Sequence, residues 1–117
     1  MRKVLIADDS YFIRKILRDM LVKNGFNVIG EAENGFEVVK KYVTLKPDIV
    51  TLDIVMPEKN GIKVLQEIIA LDANAKIVIM TATGHGELVK EAISNGAKDF
   101  IIMPFKEDMV IQRLNNL

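Results

Sequence analysis

Residues 48–57 read DIVTLDIVMP, an apolar run that ends in an aspartate and lies between two prolines, Pro47 and Pro57. Its residues are mostly β-branched and do not alternate with polar ones, which is typical of a strand buried on both faces. We therefore predict a strand over Ile49–Leu52, with Asp53 at its carboxyl end.

Four further runs have the same character and lie at Val4–Ala7, Val28–Ile29, Ile77–Met80 and Phe100–Met103. The segments between them carry apolar residues at helical spacing. These stripes consist of Phe12, Ile13, Ile16, Leu17, Met20 and Leu21, then of Ile62, Leu65, Ile68 and Ile69, then of Leu88, Val89, Ala92 and Ile93. A last helix is predicted over residues 106–117. One short run alone could be a buried helix segment, but five β-α repeats in succession predict an α/β fold with a parallel sheet covered on both faces.

Polar and glycine residues at the segment ends agree with this division. Asn34 and Glu37 have the spacing of a capping box at a helix start. Gly25 and Gly96 each follow an asparagine where a helix usually stops. Nothing marks a domain boundary, so residues 1–117 are predicted to form a single domain.

The composition excludes several classes of protein. The chain has 117 residues, 16 basic and 16 acidic residues and no cysteine, which excludes a disulfide scaffold, a thiolate zinc site and cysteine catalysis. The balanced charge argues against direct nucleic-acid binding. No apolar run approaches the roughly 20 residues of a membrane span, and no signal peptide is visible. We expect a soluble, cytoplasmic protein.

The carboxyl ends of the predicted strands carry the candidate chemistry, because ligands of open parallel sheets bind there. These ends bring Asp8-Asp9, Asp53, Thr81-Ala82 and Met103-Pro104 to one edge. Three clustered carboxylates repel one another and suit a hard cation, Mg²⁺ above all. Taken singly, Asp8-Asp9 could be a helix N-cap region, Asp53 a loop residue and Thr81 a β-propensity choice; their joint placement favours the functional interpretation.

The ordered set of motifs resembles the receiver domain of two-component response regulators, and most of all the stand-alone chemotaxis type. The motifs that carry the resemblance are Asp8-Asp9-Ser10, residues 48–57, Asn60-Gly61, Met80-Thr81-Ala82, residues 96–100 and Pro104-Phe105. The resemblance implies a flavodoxin-like (βα)5 fold with the strand order 2-1-3-4-5 known for that family.

The resemblance also implies a role for each site residue. Asp53 would be the phosphoacceptor, which takes a phosphoryl group from the phosphohistidine of a sensor histidine kinase. Asp8, Asp9, Asp53 and the carbonyl of Val55 would hold Mg²⁺. Switching would involve Thr81 and Ala82, the aromatic Phe100, and Met103-Pro104. The protein would catalyse only its own aspartyl phosphorylation and dephosphorylation, and is expected not to be an enzyme toward other substrates.

Met103 departs from the family pattern, which has a lysine immediately before this proline. Methionine cannot pair with a phosphate, although it can fill the lysine's volume. We expect Asp53 to remain a phosphoacceptor, the output change to be weakened, and Asp53 to be less acidic than in a lysine-bearing relative. Methionine as a simple volume filler and an engineered substitution both stay open. Rescue by Lys106 is a further option, and the peptide before Pro104, which is cis in the family, is not settled by the sequence.

The implied partners are the kinase, a target protein that binds the face of Phe100 and the last two helices, and a phosphatase; neither membrane nor nucleic acid is expected as a partner. A phosphorelay shuttle and the receiver of a longer transcriptional regulator are alternatives. A magnesium-dependent phosphatase is disfavoured, because residues 53–55 lack a second acid. His85 is interpreted as a solvated loop histidine, and Thr83 and Val55 as positions that tune water access. The basic residues of the N-terminal fifth are interpreted as a solvated helix face, with a docking surface for an acidic kinase partner as the alternative; they are Arg2, Lys3, Arg14, Lys15, Arg18 and Lys23.

Overall fold

A computed structural model describes residues 1–82 and 86–117 of the chain. The described part forms five strands and five helices in strict alternation. The elements are β1 (Lys3–Ala7), α1 (Tyr11–Lys23), β2 (Asn27–Ala32), α2 (Gly35–Leu45), β3 (Ile49–Asp53), α3 (Gly61–Leu71), β4 (Ile77–Ala82), α4 (Gly86–Ser94), β5 (Asp99–Met103) and α5 (Glu107–Asn115).

The five strands form one parallel sheet in the order β2-β1-β3-β4-β5. This confirms the predicted fold class and strand order. β3 lies at the centre and all five of its residues are buried, as its apolar run predicts. From β1 the chain winds outward to β2 on one side of the sheet, and then crosses back to β3, β4 and β5 on the other side. Because the winding reverses between β1 and β3, a crevice lies at the carboxyl ends of these two strands.

Two apolar layers cover the sheet. α2, α3 and α4 pack on one face through residues such as Val38, Leu65 and Ala92. α1 and α5 pack on the other through Leu17 and Leu114, among others. Phe12 is a correction to the predicted stripe of α1, because its side chain is 69% exposed. Phe12 lies nine residues before the buried Leu21, which places it on the opposite side of a helix with 3.6 residues per turn.

The helix ends use the predicted residues. The Asn34 side chain accepts a hydrogen bond from the Glu37 N–H at 3.0 Å, and Gly25 and Gly96 adopt the positive φ angles of 89° and 107° that favour glycine. The last helix ends at Asn115, two residues before the predicted end. Within the described part of the chain, no helix is long and apolar enough to cross a membrane.

Candidate functional site

The crevice between β1 and β3 brings three aspartates together. Asp8 and Asp9 follow β1, and Asp53 is the last residue of β3. One carboxylate oxygen of each lies within 4.8 Å of the others. Asp8 and Asp53 are only 2% and 8% exposed, whereas Asp9 lies at the surface. The strand ends therefore meet as the sequence predicts.

Asp8 is held by three hydrogen bonds near the start of α1. Its N–H donates to the Ala32 carbonyl at 3.0 Å, its own carbonyl accepts from Arg14 Nη1 at 2.6 Å, and its Oδ1 accepts from the Ser10 N–H at 2.8 Å. Ser10 is the N-cap of α1, so Asp8 and Asp9 lie just before the cap and not at it. The buried Asp8 Oδ2 has no hydrogen-bond partner among the described residues.

Asp53 is fixed by the loop that follows it. Its Oδ1 accepts a hydrogen bond from the Val55 N–H at 3.1 Å. The Gly61 N–H then closes the loop onto the Ile54 carbonyl at 2.8 Å. A Cβ on Gly61 would lie 2.5 Å from Ile54 Cα and 2.8 Å from the Asp53 carbonyl oxygen. Only glycine allows α3 to start this close to the strand end.

The electrostatics of the cluster favour protonation of the buried acids when no cation is bound. Burial raises the pKa of Asp53 to about 7, and the charges of Asp8 and Asp9 add to this against the opposing Val55 hydrogen bond. Burial and Asp9 also raise the pKa of Asp8, although the Ser10 hydrogen bond and the Arg14 charge oppose them. An unpartnered buried carboxylate oxygen, oxygen-only ligands and mutual repulsion fit a hard divalent cation.

The residues predicted for switching lie on β4 and β5. Thr81 is buried near the end of β4, and its hydroxyl donates to the Ala82 carbonyl at 3.4 Å. Ala82 is exposed and pairs in register with Met103. The Met103-Pro104 peptide is cis. Thr83 and His85 lie outside the described residues.

Met103 and Phe100 belong to opposite faces of the sheet. Met103 packs against the apolar layer of α1 and α5, and Phe100 against that of α2, α3 and α4. The Arg113 guanidinium lies 5.4 Å from the centroid of the Phe100 ring and forms an ion pair with Asp99 at 2.5 Å.

Two lysines, Lys59 and Lys106, lie near the site residues in the sequence, but they have different surroundings in the structure. Lys59 Nζ donates to both Glu67 oxygens, at 2.9 and 2.8 Å, and lies 4.5 Å from the centroid of the Phe36 ring. Lys106 is exposed at the start of α5. Neither lysine is among the groups that set the pKa of Asp53.

One residue that the sequence pattern did not single out adjoins the cluster. Arg14 is 8% exposed and is paired with Glu31, so the prediction of a solvated basic face fails at this position. Arg14 and Arg18 lie four residues apart on one helix, and Glu31 lies at the end of the strand predicted beside β1. That combination is the signal from which the ion pair could have been found.

Comparisons with known proteins agree with the fold. The family model described as "Response regulator receiver domain" matches residues 4–115. The chain is 52% identical to the chemotaxis protein CheY of Thermotoga maritima over 99% of this chain and 97% of that protein. It is 50% identical to the chemotaxis protein CheY of Bacillus subtilis over 97% of this chain and 94% of that protein.

A solved structure gives the same result in three dimensions. The chain matches a structure of the CheX-CheY-BeF3-Mg complex from Borrelia burgdorferi with a TM-score of 0.94 and 42% identity. The match covers 98% of this chain and 87% of that one.

Proposed function

The chain belongs to the family of response regulator receiver domains, and we propose that it accepts a phosphoryl group on Asp53 from a sensor histidine kinase and thereby switches its binding to a target protein. The observation that carries this proposal is the buried Asp53 carboxylate within 4.8 Å of two further acids at the end of the central strand. The similarity to chemotaxis proteins favours a role in motility signalling.

In the proposed transfer, an oxygen of ionised Asp53 attacks the phosphorus of a phosphohistidine. A phosphorus–oxygen bond forms, the phosphorus–nitrogen bond breaks, and the imidazole leaves with the electron pair. The Val55 N–H orients the Asp53 carboxylate through Oδ1. The proposed reaction ends on the chain's own side chain, so the protein is a switch rather than an enzyme for other substrates.

Mg²⁺ is the proposed cofactor, and Asp8, Asp9 and Asp53, with the Val55 carbonyl, are its proposed ligands. When bound, it would neutralise carboxylate and phosphoryl oxygens. The unpartnered Asp8 Oδ2 supports this assignment, because a buried carboxylate oxygen is unfavourable without a partner. Opposite charge also favours the ionised carboxylate, so the ionised form of Asp53 would be stabilised at neutral pH.

The output side of the proposal involves Thr81, Phe100 and the surface formed by α4, β5 and α5. A new phosphoryl oxygen at Asp53 attracts the Thr81 hydroxyl, and Phe100 moves inward as β4 shifts. We expect this step to be weaker than in a relative with lysine before the proline, since Met103 offers no charge to the phosphoryl group. A downstream target and a phosphatase are the expected partners, and the cytoplasm is the expected location.

Phosphorylation by a small phosphoramidate in the presence of Mg²⁺ tests the proposal directly. Intact-protein mass spectrometry should show one added phosphoryl group on the wild type and none on Asp53→Asn. Asp48→Asn is the matched control, because Asp48 lies at the other end of the same strand, where it accepts the Lys3 N–H at 2.7 Å. Equal labelling of the two variants, or an unlabelled wild type, would contradict the assignment.

Binding experiments separate a switch from a phosphoryl shuttle. Candidate targets should bind the beryllofluoride-treated protein more tightly than the untreated one. Binding that ignores the mimic would favour the shuttle.

A further inference from the structure

Arg14 is a buried cation just behind the acid cluster. It lies in the first turns of α1, and its guanidinium is fixed at two points. Nη1 donates to the main-chain carbonyl of Asp8 at 2.6 Å, and Nε donates to Glu31 Oε1 at 3.0 Å. A buried charge is costly unless it is paired and hydrogen-bonded. Here Glu31 supplies the opposite charge and Asp8 supplies an acceptor.

The bond to Asp8 is one of the contacts that set the direction of the Asp8 carboxylate. The Asp8 N–H donates to the Ala32 carbonyl, and Asp8 Oδ1 accepts from the Ser10 N–H. The Ala32 and Ser10 partners are main-chain groups, which a substitution leaves in place. The Arg14 partner is a side chain, which a substitution can remove. Without Arg14, the peptide after Asp8 would lose its carbonyl partner and could rotate.

We infer that Arg14 is a positioning residue for the divalent-cation site, which holds the Asp8 carbonyl in place while Glu31 holds Arg14. This inference rests on the proposed function, because it concerns the Mg²⁺ that the acid cluster is proposed to bind. Arg14 touches neither the cation nor the phosphoryl group in this scheme. It acts through the main chain of Asp8.

Charge and position make opposite predictions for the removal of Arg14. A positive charge beside a cation site repels the cation, so its loss would by itself strengthen Mg²⁺ binding. A displaced Asp8 carboxylate would weaken it instead, and loss of a residue that orients a metal ligand typically costs 10- to 100-fold in metal affinity. A role in folding alone would leave the affinity of the folded protein unchanged. The sign of the effect therefore identifies the role.

Titration of the metal-free protein with Mg²⁺, followed by amide NMR shifts, is the decisive experiment. We expect about tenfold weaker binding for Arg14→Met. Arg18→Met is the matched control, because Arg18 also pairs with Glu31, at 2.5 Å, from the next turn of the same helix. Arg18→Met should bind Mg²⁺ within about twofold of the wild type, because metal affinity is lost when a residue that orients a metal ligand is removed, and Arg18 is not proposed to orient one.

The outcomes separate this inference from the proposed function. Unchanged or tighter binding by Arg14→Met, or an equal loss in Arg18→Met, would overturn the inference alone. A wild type that does not bind Mg²⁺ would overturn the proposed cofactor and the inference with it. If Arg14→Met does not fold, Arg14→Lys replaces it, because one ammonium group cannot span both Asp8 and Glu31. Arg14→Lys should bind severalfold more weakly, and wild-type affinity in this variant would overturn the inference.

Discussion

The two halves of the site differ in how many charged and hydrogen-bonded groups they place around the acid cluster. The half formed by β1 and β3 has three acids within 4.8 Å, main-chain donors to Asp8 and Asp53, and a buried arginine behind them. The half formed by β4 and β5 has the buried Thr81 hydroxyl, but Met103, just before Pro104, offers no positive charge to a phosphoryl group. The difference suggests that accepting a phosphoryl group and responding to it are separable properties of this fold.

The largest expected effect concerns the acid half and its dependence on pH. The pKa of Asp53 is about 7 in the folded protein, raised from 3.8 mainly by burial. The folded state therefore binds the Asp53 proton more tightly than the unfolded state does, so the contribution of Asp53 to stability is greatest below pH 4 and is lost as the pH rises through 7. The loss has an upper limit of about 1.4 kcal/mol per pH unit within this window.

Asp53→Asn should remove this loss. In urea unfolding without Mg²⁺, the variant should exceed the wild type in stability at pH 8, and the advantage should shrink toward pH 4. Adding Mg²⁺ at pH 8 should stabilise the wild type more than the variant. A stability difference that does not vary with pH would show that the pKa of Asp53 is not raised in the folded protein.

The next effect tests whether the acid half depends on the close approach of α3. Gly61→Ala would place a Cβ against the main chain of Ile54 and Asp53, so we expect a loss of about 2 to 3 kcal/mol in the free energy of unfolding. Gly86→Ala is the matched control, because a Cβ at this first residue of α4 would meet no atom within 4 Å among the described residues beyond its chain neighbours. Similar stabilities of the two variants would contradict the steric reason for Gly61.

Some features of the site could be predicted from the sequence and others could not. The meeting of Asp8, Asp9 and Asp53 follows from strands that end in acids, because a parallel sheet aligns its carboxyl ends. The burial of Arg14 depends on its pairing with Glu31, 17 residues away, and a basic residue on a helix is usually exposed. That burial comes from tertiary packing rather than from local pattern. The exposure of Phe12 follows from the spacing itself, because Phe12 lies on the side of α1 opposite the buried Leu21.

A smaller effect tests the switch half. Met103→Lys introduces a cation, which should lower the pKa of Asp53 by about one unit and enlarge the NMR shift of Phe100 on addition of a fluoride phosphoryl mimic. Ile102→Lys is the control of equal charge, because Ile102 is exposed and points to the other side of β5. Equal mimic-induced shifts at Phe100 in Met103→Lys and the wild type would show that the methionine does not limit switching.

The smallest effect concerns the contacts that hold Phe100 in its present position. Arg113 lies over the Phe100 ring and is fixed by Asp99, which also accepts the Phe100 N–H at 2.8 Å. A cation over an aromatic ring at an exposed site contributes about 0.5 to 1 kcal/mol. Arg113→Met should therefore lower the population of the present Phe100 position relative to the position it takes on activation about two- to fivefold, measured by aromatic NMR with the mimic at half saturation. Asp99→Asn keeps the Arg113 side chain but removes its ion pair, and should have a smaller effect. If Arg113→Met leaves the Phe100 ratio unchanged, the ring is held by its packing on the apolar layer of α2, α3 and α4 rather than by Arg113.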